Sequence, residues 1–126
     1  MIEKKILVVD DEQQIRSLIQ EAFVRKGYVV RTAESGEEAY EILQHTKFQV
    51  IFLDLNMPGM SGVELCKRIR KDFPKVSVFA ITGFPTRFEV HNCRKAGFDG
   101  YFVKPITFEA LLEAAQEAFK QFNHQK

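Results

Sequence analysis

Five side chains that could do chemistry stand at the ends of short apolar runs. They are Asp10 and Asp11 after the first run, Asp54 after the third, Thr82 after the fourth and Lys104 after the fifth. Carboxylates that share one pocket repel one another, so one of them must take up a proton unless a counter-charge is present. A divalent cation would supply that charge, and a ligand set made only of oxygen atoms favours Mg²⁺ over zinc or copper.

The same residues suit the transfer of a phosphoryl group. Mg²⁺ in proteins commonly binds through one or two carboxylates and a phosphate oxygen, and it keeps several waters. Asp54 would then attack phosphorus and form an aspartyl phosphate, because carboxylates can act as covalent nucleophiles. Mg²⁺ and the Lys104 ammonium would neutralise charge on the phosphoryl oxygens, and the Thr82 hydroxyl would donate a hydrogen bond to one of them.

Each of these residues also has an ordinary structural explanation when it is taken alone. An acidic pair after a strand often marks only the N-terminus of a helix, where carboxylates interact favourably with the helix dipole. Asp54 could be a turn residue, Thr82 a polar residue at a strand end, and Lys104 a surface lysine. Their joint position at four strand ends is what favours a functional site.

The apolar runs predict five strands, which alternate with segments of helical periodicity. The runs are rich in β-branched and aromatic residues, and they cover residues 5–9, 28–33, 50–53, 76–81 and 101–103. Repeated β-α units predict an α/β fold: a flavodoxin-like, doubly wound, five-stranded parallel sheet of order 2-1-3-4-5 with five helices. The functional crevice of such a sheet lies at the carboxyl ends of its strands.

Local signals predict where helices begin and end and which faces they bury. Capping boxes are expected at Ser35 with Glu38, Ser61 with Glu64, and Thr86 with Glu89, and left-handed helix ends at Gly27 and Gly97. The apolar face of the first helix is expected to contain Ile15, Leu18, Ile19, Ala22 and Phe23. That of the last helix is expected to contain Phe108, Leu111, Leu112, Ala115, Phe119 and Phe122.

Length and charge narrow the class of protein. The 126 residues predict a single domain, residues 1–126, with a core at about 5–122. The net charge of +1 predicts neither nucleic acid nor an anionic membrane as a partner, and no apolar run approaches the ~20 residues of a membrane span. Cys66 and Cys93 lie far apart and in no metal-ligand spacing, which favours reduced thiols and a cytoplasmic location.

Four motifs make the chain resemble the receiver domain of bacterial two-component response regulators, of the single-domain, CheY-like type. They are LVVDDE (7–12), FLDLNMPGMSGVEL (52–65), ITG (81–83) and YFVKPI (101–106). Receiver domains accept a phosphoryl group from a histidine of a sensor histidine kinase or a histidine phosphotransfer protein. The resemblance implies a phosphorelay signalling protein that is no enzyme in the usual sense, since it catalyses only its own phosphorylation and dephosphorylation.

The resemblance also implies how the phosphorylation site is built. Asp54 would be the phosphoacceptor, and Lys104 would pair with its phosphoryl group. Mg²⁺ would be bound by Asp10, Asp11, Asp54 and the backbone carbonyl of Asn56.

A conformational switch is implied by the same resemblance. Thr82 would be the switch hydroxyl, and Tyr101 the aromatic partner that changes rotamer with it. The change would shift a pre-existing equilibrium on the face formed by helix 4, strand 5 and helix 5, where a downstream protein target binds. The bond between Lys104 and Pro105 is often cis in this family.

Two phenylalanines after the fourth strand are less easily explained. Phe84 occupies a position that lies over the mouth of the site in the family, and we hypothesise that it shields the acyl phosphate from water. Phe88 points away from the expected buried stripe of the fourth helix, formed by Val90, Cys93 and Ala96. Phe88 could form a partner-binding patch with Tyr101, or it could pack under the preceding loop.

Two other functions use similar residues. An aspartate-nucleophile phosphatase of the haloacid dehalogenase type has the same side-chain types, but its nucleophile comes on the first motif strand and its acid pair comes last. A receiver-like module that binds partners without phosphorylation is the other alternative. Its usual mark is loss of the acceptor or of the lysine, and both are present here.

Overall fold

Five parallel strands form a single sheet in the computed structural model, which describes residues 3–124. The strands are Lys5–Val9 (β1), Val29–Ala33 (β2), Val50–Asp54 (β3), Ser77–Thr82 (β4) and Gly100–Val103 (β5). The helices are Gln13–Arg25 (α1), Gly36–His45 (α2), Gly62–Asp72 (α3), Arg87–Ala96 (α4) and Phe108–His124 (α5). The strand order is β2-β1-β3-β4-β5, which confirms the predicted fold class and topology.

The sheet is covered by helices on both faces because its central strands are apolar on both sides. Ile6 and Val8 of β1 pack with α1 and α5, whereas Leu7 and Val9 pack with α2 and α3 on the opposite face. All five residues of β3 are buried, Asp54 included. The alternation of side chains along each strand therefore creates two apolar cores, with the carboxyl edge of the sheet open between them.

Helix ends follow the local signals of the sequence. The side chains of Ser35, Ser61 and Thr86 each accept a hydrogen bond from the backbone N–H three residues later, which confirms the N-cap half of each predicted capping box. The reciprocal bond is not seen within residues 3–124, since Glu38 accepts from the N–H of Glu34 and Glu89 from the hydroxyl of Tyr101. Gly27 and Gly97 have φ of +94° and +98°, which confirms both predicted left-handed helix ends. These local interactions determine the residues at which the loops next to the sheet begin and end.

The prediction that Leu18 lies on the buried face of the first helix is wrong. Its side chain is 68% exposed, although Ile19 and Phe23 on the same helix are buried. A groove of about 540 Å³ separates α1 from α5, and Leu18 lines this groove instead of the core. Periodicity defines an apolar stripe but does not show how much of that stripe the neighbouring helix covers.

Within residues 3–124, no helix combines the length and the apolar character that crossing a membrane requires.

Candidate functional site

The carboxyl edge of the sheet brings four of the predicted residues together. Asp10 directly follows β1, Asp54 ends β3, Thr82 ends β4, and Lys104 directly follows β5. The parallel hydrogen bonding continues past the strand ends, since Lys104 N–H donates to the Thr82 carbonyl across 2.7 Å. The backbone hydrogen bonds therefore fix the position of each side chain at this edge of the sheet, independently of side-chain contacts.

Lys104 is the electrostatic centre of this edge. Its Nζ lies 3.6 Å from Oδ2 of Asp54, 3.6 Å from Oδ2 of Asp10 and 3.7 Å from Oε1 of Glu12. Asp54 and Asp10 are only 3% and 1% exposed, so the lysine compensates charges that water does not reach. Sequence reasoning missed Glu12, although the motif LVVDDE shows a third acid directly after the pair.

Burial dominates the acidity of the two inner carboxyl groups. Desolvation raises the pKa of Asp54, and the backbone N–H of Asn56 and the ammonium of Lys104 oppose this rise only partly. Desolvation likewise raises the pKa of Asp10 to about 6. Burial by itself lowers the pKa of Lys104, but the carboxylates of Asp10 and Asp54 outweigh it and leave that pKa raised. The site thus holds more negative charge than its single lysine neutralises.

The acidic residues after β1 fit a divalent cation. Carboxylate oxygens of Asp10, Asp11 and Glu12 all lie within 4.8 Å of one another. Oδ2 of Asp10 is buried and accepts no hydrogen bond from the residues that the structure describes, and it faces the ammonium of Lys104 at 3.6 Å. An all-oxygen set with a buried oxygen that no hydrogen bond satisfies suits Mg²⁺. Asp54 does not belong to this group, so its role as a ligand stays a prediction, as does that of the Asn56 carbonyl.

Asn56 connects the acceptor strand to Thr82. Its backbone N–H donates to Oδ1 of Asp54 across 3.0 Å, and its side-chain Oδ1 accepts a hydrogen bond from the Thr82 hydroxyl across 3.0 Å. The same hydroxyl accepts a bond from the Phe84 N–H across 3.1 Å. Thr82 is fully buried, so this hydroxyl couples the β3–α3 loop to the β4–α4 loop without help from solvent.

Tyr101 of β5 lies next to α4. Its hydroxyl donates a hydrogen bond to Oε1 of Glu89 across 2.8 Å. Burial raises the pKa of Tyr101, and the neighbouring Glu89 carboxylate raises it further. Tyr101 is therefore a neutral hydrogen-bond donor at any physiological pH.

Close packing beside Asp54 requires a glycine at the start of α3. A Cβ placed on Gly62 would lie 2.7 Å from the Asp54 carbonyl oxygen and 2.9 Å from Cα of Leu55. The helix can thus begin directly against the strand that carries Asp54. On the opposite side of the site, the Lys104–Pro105 peptide bond is cis.

Phe84 and Phe88 both point into solvent, with 72% and 75% of their surfaces exposed. The expectation that Phe88 packs under the preceding loop is therefore wrong. The reason is that α4 already buries Cys93 and Ala96 against the rest of the protein, and Phe88 lies outside that stripe.

Comparison with known proteins agrees with this arrangement. Residues 6–116 match the family described as "Response regulator receiver domain". The chain is similar to "Chemotaxis protein CheY1" of Helicobacter pylori, with 40% identity over 113 residues that cover 86% of this chain and 91% of that protein.

Solved structures give the same result. A CheY-like response regulator receiver domain protein from Methanospirillum hungatei superposes with a TM-score of 0.95 at 26% identity, covering 99% of this chain and all of that one. The response regulator protein TrrA of Thermotoga maritima, solved in complex with Mg²⁺ and BeF, has a TM-score of 0.83 at 36% identity, with 91% and 98% coverage. With its family match, fold and strand-end residues in agreement, the chain belongs to the response regulator receiver domain family.

Proposed function

We propose that this chain accepts a phosphoryl group on Asp54 from a histidine of a partner protein, a sensor histidine kinase or a histidine phosphotransfer protein. The observation that carries the proposal is the contact between Asp54 and Lys104. A carboxylate that is 3% exposed faces an ammonium at 3.6 Å at the open edge of the sheet. A buried carboxylate beside an ammonium can act as the nucleophile towards an anionic phosphoryl group. The neighbouring acids can bind the metal cation that accompanies this group.

The transfer forms one bond and breaks another. An oxygen of Asp54 attacks phosphorus, the bond between phosphorus and the donor imidazole nitrogen breaks, and the imidazole leaves with the bonding electron pair and takes up a proton. Lys104 moves from carboxylates to the incoming phosphoryl oxygens, which lie within the reach of its side chain. Thr82 exchanges its bond to Asn56 for a bond to the phosphoryl group.

Asp10 and Asp11 are proposed to hold Mg²⁺, with Glu12 close enough to take part. Bound Mg²⁺ would neutralise charge on the phosphoryl oxygens during transfer. The buried Oδ2 of Asp10, which accepts no hydrogen bond within the described residues, supports this assignment. So does the similarity to TrrA, a receiver that was solved with Mg²⁺ and BeF.

The output is proposed to appear on the face formed by α4, β5 and α5. When Thr82 turns towards the phosphoryl group, the space beside it opens and Tyr101 can turn inward. The bond from Tyr101 to Glu89 is then lost, which biases the conformation of α4. A downstream protein target would distinguish the two conformations, with no direct role for nucleic acid or a membrane.

In this proposal the chain is no enzyme with external turnover, because it catalyses only its own phosphorylation and dephosphorylation. A cytoplasmic location is part of the proposal, and it is supported by the free, buried thiols of Cys66 and Cys93.

The test is the intact mass of the protein after incubation with Mg²⁺ and acetyl phosphate. Wild type is expected to gain one phosphoryl group that hydroxylamine removes, whereas Asp54→Asn gains none. Asp72→Asn, at the opposite end of α3, is the matched control and should behave as wild type.

Other outcomes would refute the proposal in distinguishable ways. A wild-type protein that gains no adduct at any Mg²⁺ concentration would favour a phosphorylation-independent binding module. Continuous release of phosphate from an unactivated phosphate monoester, a substrate that does not phosphorylate a receiver, would favour an aspartate-nucleophile phosphatase.

A further inference from the structure

The groove between α1 and α5 opens at the proposed phosphorylation site. Two of the residues that line it belong to the carboxyl edge of the sheet. Gly83 directly follows Thr82 at the end of β4, and Lys104 directly follows β5. Nζ of Lys104 lies 3.6 Å from Oδ2 of Asp54, so one side chain connects the groove to the acceptor carboxylate. A molecule that binds Lys104 with an anionic group can therefore extend into the groove.

Apolar side chains form almost all of the remaining surface of the groove. The helix α1 contributes Ile15, Leu18 and Ala22, and the segment before α5 contributes Ile106. Among the lining residues in the described part of the chain, Lys104 alone carries a charge. Leu18 is 68% exposed, so water reaches the groove and is released when an apolar group enters it. The groove thus suits an apolar group that is joined to an anion at Lys104.

The dimensions of the groove match a small molecule. From Ile15 to Ala22 the helix rises by about 10 Å, which is enough for a hydrocarbon chain of several carbons. Small-molecule sites have volumes of roughly 300–1,000 Å³, and they are mostly apolar with a few polar groups that orient the ligand. The groove has a volume of about 540 Å³ and a single ammonium at one end, so it fits this description.

Space is also open where the groove meets the site. A Cβ added to Gly83 would have no neighbour within 4 Å, and the φ of Gly83 lies outside the left-handed region. A chain that leaves the site past Gly83 therefore meets no obstacle, and a side chain introduced there would occupy its path without straining the backbone.

We propose that the groove is a subsite for the acyl group of a small-molecule phosphoryl donor, an acyl phosphate whose acyl group is a hydrocarbon chain of several carbons. The subsite rests on the proposed function, because it assigns a second kind of donor to the same acceptor, Asp54. An oxygen of Asp54 attacks phosphorus, and the bond between phosphorus and the acyl oxygen breaks. The acyl carboxylate leaves with the bonding electron pair and needs no proton, since it is a weak base.

The hydrocarbon chain contributes affinity through burial. Each methylene that is fully removed from water strengthens binding by about fourfold, so the methylenes of a longer chain together increase the affinity for the donor. A chain that lies in the groove before and during the transfer stabilises the bound donor and the transition state equally. It therefore lowers the donor concentration that gives half the maximal rate, and it leaves the maximal rate almost unchanged.

The experiment compares acetyl, butyryl and hexanoyl phosphate as donors to the wild-type protein in the presence of Mg²⁺. Intact mass measures the rate of phosphoryl uptake, and it distinguishes a phosphoryl adduct from an acyl adduct on a lysine. The three donors release carboxylates of nearly equal basicity, so their intrinsic reactivity does not depend on chain length. The rate constant at low donor concentration should rise with chain length, by about tenfold from acetyl to hexanoyl phosphate.

Two variants test whether the groove causes this preference. The readout is the ratio of the rate constants for hexanoyl and acetyl phosphate within each protein, so that a general change in the site cancels. Gly83→Leu should lower the ratio at least fivefold, and Leu18→Gln should lower it at least twofold. The matched control is Val24→Gln, which removes an exposed apolar side chain of α1 that does not line the groove and should keep the wild-type ratio.

Binding without reaction is measured with sodium hexanoate and sodium acetate. Hexanoate should shift the backbone amide resonances of residues 15–22 and 104–111 at concentrations at which acetate does not. Equal rate constants for the three donors would overturn the subsite, and equal rate constants without hexanoate shifts would favour a protein segment as the occupant of the groove. A preference for hexanoyl phosphate that both groove variants retain would also overturn it, as would hexanoate shifts confined to other residues.

The subsite and the proposed function fail in distinguishable ways. If neither acetyl nor hexanoyl phosphate forms an adduct on Asp54 of the wild type, the proposed function is refuted and the subsite with it. If acetyl phosphate phosphorylates the wild type but not Asp54→Asn, and hexanoyl phosphate reacts no faster, only the subsite is refuted.

Discussion

Tyr101 donates a hydrogen bond to Glu89 across 2.8 Å, and this contact links the edge strand β5 to α4. Glu89 stands in the capping-box position of its helix, three residues after Thr86. In α2 the equivalent glutamate, Glu38, bonds to the backbone N–H of Glu34. In α4 the carboxylate of Glu89 accepts a hydrogen bond from a side chain of β5 instead. The conformation at the start of the helix therefore depends on that of Tyr101.

Replacing Glu89 should therefore release Tyr101. In Glu89→Ala the rotamer of Tyr101 seen in this structure loses one hydrogen bond, worth about 0.5–1.5 kcal/mol. The rate of phosphorylation by acetyl phosphate should rise about two- to tenfold if inward rotation accompanies phosphorylation. The rate is measured by intact mass, and ¹⁹F-labelled tyrosine reports the ring position. Glu64→Ala in α3, at the same capping position, should change neither, and an unchanged rate with a displaced ring would contradict the coupling.

Phe84 should lengthen the life of the phosphorylated form. Phe84 is exposed on the loop directly after Thr82, and the family resemblance implies that this position lies over the mouth of the site. An apolar group there would limit the access of water to the acyl phosphate. We expect Phe84→Glu to lose its phosphoryl group faster than wild type, measured by mass after removal of acetyl phosphate. Phe88→Glu adds the same charge one helical turn away and should decay at the wild-type rate. An equal or longer lifetime in Phe84→Glu would refute the shielding role.

Asp10 should make the metal-free protein less stable as pH rises. Its pKa is raised to about 6 in the folded protein, whereas an unfolded chain has a value near 3.9. The folded state therefore binds the proton more tightly, and the free energy of unfolding falls as pH rises from about 4 to about 6. Asp10→Asn lacks this loss, and near pH 7 it should be about 1–3 kcal/mol more stable than wild type.

Urea unfolding in EDTA between pH 4 and pH 7 measures this difference. Adding Mg²⁺ should stabilise wild type more than Asp10→Asn, because the ion compensates the carboxylate. If the free energy of unfolding of the two proteins in EDTA depended on pH in the same way, the charge of Asp10 would not destabilise the folded protein.

Gly62 should tolerate no side chain. Its Cβ would meet the Asp54 carbonyl oxygen at 2.7 Å, and backbone atoms cannot move aside as a flexible side chain can. We expect Gly62→Ala to lose about 1–3 kcal/mol of stability and to take up the phosphoryl group more slowly, since the loop after Asp54 must shift. Urea unfolding measures the change in stability, and intact mass measures the rate of phosphoryl uptake. For stability the control is Gly83→Ala, where a Cβ would have no neighbour within 4 Å.

Local patterns were sufficient for the elements and for most of the site. The apolar runs predicted all five strands to within one or two residues, and the capping pairs predicted the starts of α2, α3 and α4. These features depend on a few neighbouring residues, so the sequence contains them directly. The convergence of Asp10, Asp54, Thr82 and Lys104 followed from one further rule, that parallel strands end at the same edge.

What the patterns missed depends on packing between distant segments. Glu12 reaches Lys104 only because β1 and β5 end at the same edge of the folded sheet, 92 positions apart in the printed sequence. Leu18 carries the same periodic signal as Ile19, but the groove between α1 and α5 leaves it in solvent. The helical pattern placed Phe88 outside the buried stripe of α4, but it did not show whether the preceding loop covers this side chain.

The sequence by itself indicated the family, the topology and the candidate residues of the site, because periodicity, caps and strand-end motifs are local properties of the chain. The tertiary structure decided which carboxylates share Lys104, that Glu89 accepts the hydrogen bond of Tyr101, and that Phe84 and Phe88 remain exposed. The distances between residues far apart in the chain are set only when the helices pack on the sheet. The same packing decides which side chains are shielded from water.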